Sequence, residues 1–136
     1  MGKISILLFA FIFIFLGLSC QQSRKMNTEK QPSFNGVWSD SSNVNFSNCY
    51  AVFSTIEDSI HMGHYIEYKG QPFFETGSGI IKGDSIIYHV DVIHMIPEWG
   101  PDGGTHYLKL SADKNTLEGV FITDSGHKGP LVFKRR

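Results

Sequence analysis

Short segments in which apolar and polar residues alternate follow one another from residue 34 to the end of the chain. They are rich in β-branched and aromatic side chains, and Gly, Asp, Asn and Ser separate them about every eight to twelve residues. This pattern predicts β-strands, and no part of the region has the periodicity of an amphipathic helix. We expect eight strands, over residues 36–39, 50–57, 60–68, 72–82, 85–94, 106–111, 116–123 and 131–135.

The connections between these strands are mostly short enough to be hairpin turns. Lys69-Gly70 and Gly83-Asp84 suit two-residue turns, and residues 112–115 suit a four-residue turn. Strands joined in this way lie side by side in an antiparallel sheet, and closing the sheet removes its exposed edges. The predicted fold class is therefore all-β, a small antiparallel up-and-down barrel of about eight strands.

The first 33 residues follow a different pattern. Lys3 precedes an almost unbroken apolar run over residues 4–18, which is too short to span a bilayer comfortably, and the small residue Ser19 follows it. We interpret residues 1–19 as a signal peptide. Residues 20–33 are polar and aperiodic, which predicts a flexible tether, so residues 34–136 form the single folded domain.

The segment LGLSC, which ends at Cys20, resembles the bacterial lipobox, although Gly17 stands where Leu is usual. The resemblance implies that Cys20 is acylated and anchors the protein in a membrane of the cell envelope. Gln21 after the cysteine is similar to other lipoproteins sorted to the outer membrane. The alternative is an ordinary secretory signal in which Cys20 is incidental.

The two ends of the domain carry a second resemblance. Gly36-Val37-Trp38 resembles the Gly-x-Trp start of lipocalins and their calycin relatives, and the ending from Gly129 to Arg135 resembles that of small lipocalin-like lipoproteins. The resemblance implies a barrel that Trp38 closes at the bottom, with Arg135 or Arg136 stacked on the indole. The alternative is that Trp38 is an ordinary core residue.

Composition excludes several classes of function. Twelve basic and thirteen acidic residues give a net charge of −1, so we expect no nucleic-acid partner. The sequence has neither a Gly-x-Ser-x-Gly elbow nor a phosphate loop, and we expect no enzymatic activity. Two cysteines are present, and if Cys20 carries lipid, Cys49 is a lone thiol that we expect to be buried as a small apolar residue.

Two-residue turns fix the pairing of strands, and alternation then assigns each side chain to a face of the sheet. The two predicted turns put His64 opposite Glu75 and Phe73 opposite His94, and a loop over residues 95–105 puts His94 opposite His106. The face that we expect inside collects nine apolar side chains: Met62, Ile66, Phe73, Ile81, Ile86, Val90, Val92, Leu108 and Leu110.

The same assignment turns four polar side chains inward, with Gly77 and Gly79 leaving room beside them. We expect a small, partly apolar ligand in a cavity under the long loop. The predicted ligand-binding residues are His64, Phe73, Glu75, Tyr88, His94, Trp99 and His106.

Two other interpretations stay open. Three imidazoles and a carboxylate suit a Zn-type ion, and the candidate ligands are His64, Glu75, His94 and His106. The loop over residues 95–105, with Trp99 between Gly and Pro neighbours, suits a module that binds or inhibits an envelope protein partner.

Overall fold

A computed structural model describes residues 33–43, 46–97 and 103–136. The chain in these ranges forms eight strands: β1 (Gly36–Asp40), β2 (Phe46–Ile56), β3 (Ser59–Tyr68), β4 (Gln71–Lys82), β5 (Ser85–His94), β6 (Gly104–Leu110), β7 (Thr116–Thr123) and β8 (Lys128–Arg135). Each strand pairs antiparallel with its neighbours in sequence, and β8 pairs with β1 to close the barrel. The predicted fold class is confirmed.

All eight predicted strands are present, and the differences lie at their ends. β2 begins at Phe46 rather than residue 50, and β8 begins at Lys128 rather than residue 131. The interpretation of residues 1–19 as a signal peptide, of residues 20–33 as a tether and of Cys20 as the lipidated residue falls almost entirely outside the described ranges. Those ranges contain no helix with the length and apolar character that crossing a membrane requires.

The two predicted hairpin turns set the register as expected up to Glu75 and Val92, beyond which a bulge pairs His94 with Phe74 and not with Phe73 as predicted. Lys69 and Gly70 both have positive φ, 51° and 76°, as a type I′ turn requires, and Gly83 has a φ of 62° at the first position of its turn. His64 consequently lies opposite Glu75, as predicted.

One end of the barrel is filled with apolar side chains. Its fully buried residues include Phe34, Trp38, Phe53, Leu117 and Phe133. The indole Nε1 of Trp38 donates a hydrogen bond to the carbonyl of Phe34 at 2.9 Å. The guanidinium of Arg135 lies 4.1 Å from the centroid of the Trp38 ring, which is the stacking that the resemblance to lipocalins implies. We call this the closed end.

The space predicted beside Gly77 and Gly79 is taken by Tyr88, and that expectation was wrong. A Cβ on Gly79 would stand 2.5 Å from the Cα of Tyr88, and one on Gly77 would stand 3.0 Å from its ring. The two glycines therefore let β4 and β5 approach closely enough for the ring of Tyr88 to lie across them.

A second apolar cluster packs between β2, β3, β4 and the segment after β5. Its buried members are Cys49, Ile66, Phe73 and Ile96. Cys49 is a buried free thiol, as predicted, and burial raises its pKa to about 11. This cluster covers part of the other end of the barrel, and the remainder of that end forms a cavity.

Candidate functional site: a cavity with buried charges

The cavity has a volume of about 610 Å³ and lies at the end of the barrel opposite the closed end. Its apolar wall consists of Phe46, Ile66, Val90, Phe121 and Leu131. Its buried polar side chains are Asp40, His64, Glu75 and His106. Exposed residues of the turn between β7 and β8, among them Ser125 and His127, form part of the rim together with Lys128 at the start of β8.

A histidine held between two carboxylates occupies the inner part of the cavity. His64 Nδ1 lies 2.8 Å from Glu75 Oε1, its partner on β4, and His64 Nε2 lies 3.2 Å from Asp40 Oδ2 at the end of β1. All three side chains are at most 9% exposed. The edge of the imidazole also contacts Phe133, with ring centroids 5.3 Å apart, so the polar cluster rests on the packed closed end.

The two carboxylates decide the charge of His64. Burial alone lowers the pKa of an imidazole, but hydrogen bonds and charges from Asp40 and Glu75 outweigh burial and raise the pKa of His64 to about 9. Burial raises the pKa of Asp40, and His64 and Ser42 more than reverse this, so that the pKa falls below its ordinary value of 3.8. His64 is therefore an imidazolium at neutral pH, paired with an ionised Asp40.

The contact between Asp40 and His64 is an ion pair without hydrogen-bond alignment. Asp40 Oδ2 and His64 Nε2 are the buried side-chain atoms that lack a hydrogen-bond partner among the described residues. Asp40 Oδ1, by contrast, accepts hydrogen bonds from the backbone N–H and the hydroxyl of Ser42. Asp40 thus links the buried imidazolium to the rim of the cavity.

A second buried histidine has the opposite charge state. His106 Nδ1 lies 3.1 Å from the hydroxyl of Tyr88, and the two rings are close to perpendicular with centroids 5.0 Å apart. Burial lowers the pKa of His106 to about 4, despite the nearby Glu75, and raises the pKa of Tyr88 well above 10. Both side chains are therefore neutral at physiological pH.

The predicted pairing of β5 with β6 was wrong. His106 lies opposite Tyr88 rather than His94, and the last pair is Val90 with Gly104. The long connection fixed no register, and the true pairing differs from the predicted one by six residues along β5. A shift by an even number of residues keeps each side chain on the same face of the sheet, so His106 still points inward, as expected.

His94 lies outside the cavity, which corrects two predictions for this residue. The ladder between β4 and β5 is irregular between Phe74 and Glu75, where His94 rather than Ile93 pairs with Phe74. This bulge interrupts the alternation, so Ile93 and His94 are both exposed. The proposed ligand set His64, Glu75, His94 and His106 is therefore not brought together, and the described residues contain no group of three or more side chains placed to hold a metal ion.

The other predicted site residues have different positions. His64, Glu75 and His106 line the cavity, Tyr88 reaches it only through its bond to His106, and Phe73 packs in the second apolar cluster. Trp99 lies outside the described residues, as do residues 98–102 of the long loop.

Sequence reasoning missed Asp40, which the predicted first strand excluded because it ended at residue 39. The alternation that begins at the buried Trp38 places Asp40 on the same inner face, and this signal could have found it.

When compared with protein-family models and with curated proteins, the sequence matches none of them.

Proposed function

We propose that this protein is a lipid-anchored binding protein of the cell envelope that holds one small, partly apolar ligand in its barrel. The observation that carries the proposal is the cavity of about 610 Å³, a volume within the range of about 300–1,000 Å³ common for small-molecule sites. Its lining has the matching composition, because an apolar wall surrounds a few convergent polar groups.

Binding suits the polar cluster better than catalysis does. Both nitrogens of His64 face carboxylates, Nδ1 that of Glu75 and Nε2 that of Asp40, so the imidazole has no nitrogen left to exchange a proton with a substrate. A protonated histidine with a pKa of about 9 is also a poor general base at neutral pH. We therefore assign the cluster to holding and selecting a ligand.

The lipid anchor and the lipocalin kinship are parts of the same proposal. The lipobox-like segment ending at Cys20 supports acylation, and the stacking of Arg135 on Trp38 supports a relation to lipocalin-like lipoproteins. Expression in a bacterial host with labelled palmitate tests the anchor. Label should enter the protein and be lost in Cys20→Ser, and label in neither would overturn the anchoring.

Native mass spectrometry of the protein purified from its own host tests the ligand. We expect a retained small molecule in the wild type and its loss in Leu131→Phe, which places a larger side chain in the cavity wall. Val120→Phe on the exposed face of the neighbouring β7 is the matched control and should keep the molecule. Equal occupancy in the two variants would contradict binding in this cavity.

Exposed apolar residues beside the long loop support a second candidate, an interaction module for an envelope protein. Ile93 is 63% exposed and Met95 is 54% exposed, immediately before the loop that contains Trp99. If this surface binds a partner, the Ile93→Ser and Trp99→Ala variants should lose a partner recovered by cross-linking in cells. The Leu131→Phe variant should retain that partner, which separates the two functions.

A further inference from the structure

His106 presents one ring nitrogen to the cavity without a protein partner. The side chain is 5% exposed and lines the cavity, and its Nδ1 is bound to the hydroxyl of Tyr88. Among the described residues no hydrogen-bond partner reaches Nε2. Because Nδ1 is turned to Tyr88 and the side chain lines the cavity, Nε2 is the nitrogen that a ligand in the cavity can contact.

The bond to Tyr88 decides which nitrogen of His106 carries the proton. Tyr88 is 1% exposed, and among the described residues its hydroxyl has one hydrogen-bond partner, His106 Nδ1. If Nδ1 donated the hydrogen bond, the buried phenol proton would have no acceptor, which is unfavourable. The phenol therefore donates to Nδ1, and the neutral imidazole carries its proton on Nε2.

Contacts with Tyr88 and Phe121 hold the imidazole ring of His106 and so fix the direction of its Nε2–H. Gly77 and Gly79 hold Tyr88 against β4, and Phe121 lies on another side of His106 with ring centroids 6.3 Å apart. A donor whose position is fixed before binding selects ligands by geometry as well as by chemistry. Its complement on the ligand is an oxygen that accepts a hydrogen bond.

The neighbouring cluster disfavours an anionic group at this position. Asp40 and Glu75 share the single cation His64, whose nitrogens both face these carboxylates, so the cluster has one acidic group in excess. A carboxylate on the ligand would be repelled there, and the lysine among the described lining residues, Lys128, is exposed at the rim of the cavity. An ammonium group would meet the N–H of His106, which is a donor and not an acceptor.

We propose that the ligand carries a neutral acceptor oxygen, such as the carbonyl of a ketone, ester or amide, and that His106 Nε2–H donates a hydrogen bond to it. This inference rests on the proposed function and names the chemistry of the same cavity. His106 then decides specificity, and Tyr88 is a positioning residue that acts through it.

Nitrogen-15 NMR of the imidazole groups tests the first half of the proposal without any ligand. We expect His106 to show the pattern of a neutral ring protonated on Nε2 at pH 7, and Tyr88→Phe to convert it to a mixture of tautomers. A ring protonated on Nδ1 in the wild type would overturn the assignment. That result would leave binding in the cavity intact, so the two proposals fail separately.

Three probes of matched chain length test the second half: 2-octanone, octanoate and octylammonium, titrated into the full chain. We expect 2-octanone to bind at least about tenfold more tightly than the two charged probes and to shift the Nε2 signal of His106. His106→Leu should lose about tenfold in affinity for 2-octanone, whereas His106→Gln, which keeps an N–H donor, should retain most of it. His89→Leu, an exposed histidine on the outer face, is the matched control.

Circular dichroism identifies any variant that does not fold. If His106→Leu does not fold, the affinities of His106→Gln and Tyr88→Phe for 2-octanone are compared instead. Equal affinities for the three probes, or a preference for octanoate, would overturn the proposal while binding in the cavity stands. Failure of every probe to bind would contradict the proposed function and this inference with it.

Discussion

The two ends of the barrel use the same strands for different purposes. The closed end is packed with Trp38, Phe53 and Phe133, whereas the cavity end contains a buried imidazolium between two carboxylates. Buried ion pairs contribute less to stability than apolar packing of the same volume. The comparison indicates that one end contributes more to stability and that the other gives up part of it to hold buried charges.

The two buried histidines sharpen the same contrast. His64 and His106 have nearly identical burial, but His64 has a pKa of about 9 and His106 a pKa of about 4. The difference comes from their neighbours, because carboxylates surround the first and a phenol holds the second. Residue type alone therefore does not determine which of two inward histidines is charged.

The largest expected effect is at the closed end. Trp38→Ala removes a fully buried indole, its hydrogen bond and the surface on which Arg135 stacks, and should lower the free energy of unfolding by about 3–5 kcal/mol. Val37→Ala, an exposed neighbour on β1, should change it by less than about 0.5 kcal/mol. Urea denaturation measures both, and a small loss for Trp38→Ala would show that the closed end does not dominate stability.

Stability should depend on pH in opposite directions through the two histidines. The folded state raises the pKa of His64 from 6.5 to about 9, so its contribution is complete below pH 6.5 and is lost as pH rises through 9. The folded state lowers the pKa of His106 from 6.5 to about 4, so stability is lost as pH falls from 6.5 through 4. Each histidine should change the free energy of unfolding by about 3 kcal/mol over its range, and stability should be greatest near pH 6.5.

Denaturation measured across pH checks this dependence. His64→Gln should reduce the loss of stability at alkaline pH, and His106→Gln should reduce the loss at acid pH. Protonation of Asp40 adds to the acid loss below pH 3.8. His61→Gln, an exposed residue of β3, is the control and should leave the curve unchanged. An alkaline loss of stability that persists in His64→Gln would contradict the assignment of His64 as a cation.

Enlarging one leucine at each end compares their packing directly. Leu117 is fully buried in the closed end, and Leu117→Phe should cost about 1–3 kcal/mol by overpacking. Leu131 lines the cavity, and Leu131→Phe should cost less than about 1 kcal/mol because the ring can enter the empty volume. Equal losses by thermal denaturation would mean that the cavity end is as rigid as the closed end.

The smallest expected losses in the free energy of unfolding are those on replacing the two final arginines. Arg135 stacks on Trp38 and donates hydrogen bonds to the carbonyls of Ser33, Asn35 and Lys114. Arg135→Ala should therefore cost about 1–2 kcal/mol. Arg136, which lies 5.3 Å from the ring of Tyr50, should cost less than about 1 kcal/mol when replaced by Ala. A reversed order in urea denaturation would assign the closing role to Arg136.

The fold could be predicted from the sequence because local signals determine it. Alternation identified the eight strands, and the turns at Lys69-Gly70 and Gly83-Asp84 fixed the pairs that bring His64 to Glu75. The closed end could be predicted from the resemblance at Trp38 and Arg135.

The cavity could be predicted only in part, because its residues depend on contacts that no turn controls. The long connection after β5 leaves the register of β6 free, and a bulge turns His94 away from the interior. Asp40 on β1 reaches His64 on β3 across the intervening strand β2, because both side chains point into the barrel. The charge states of the two histidines follow from these non-local contacts and from no pattern in the sequence.

Arg135 donates hydrogen bonds to the carbonyls of Ser33 and Asn35. These bonds fix the point at which the chain enters the barrel, next to the closed end. A tether from Cys20, as proposed above, would therefore join the domain at this end. The opening beside Lys128 and Ser125 lies at the other end of the barrel, so the tether would leave the entrance of the cavity free for a small molecule.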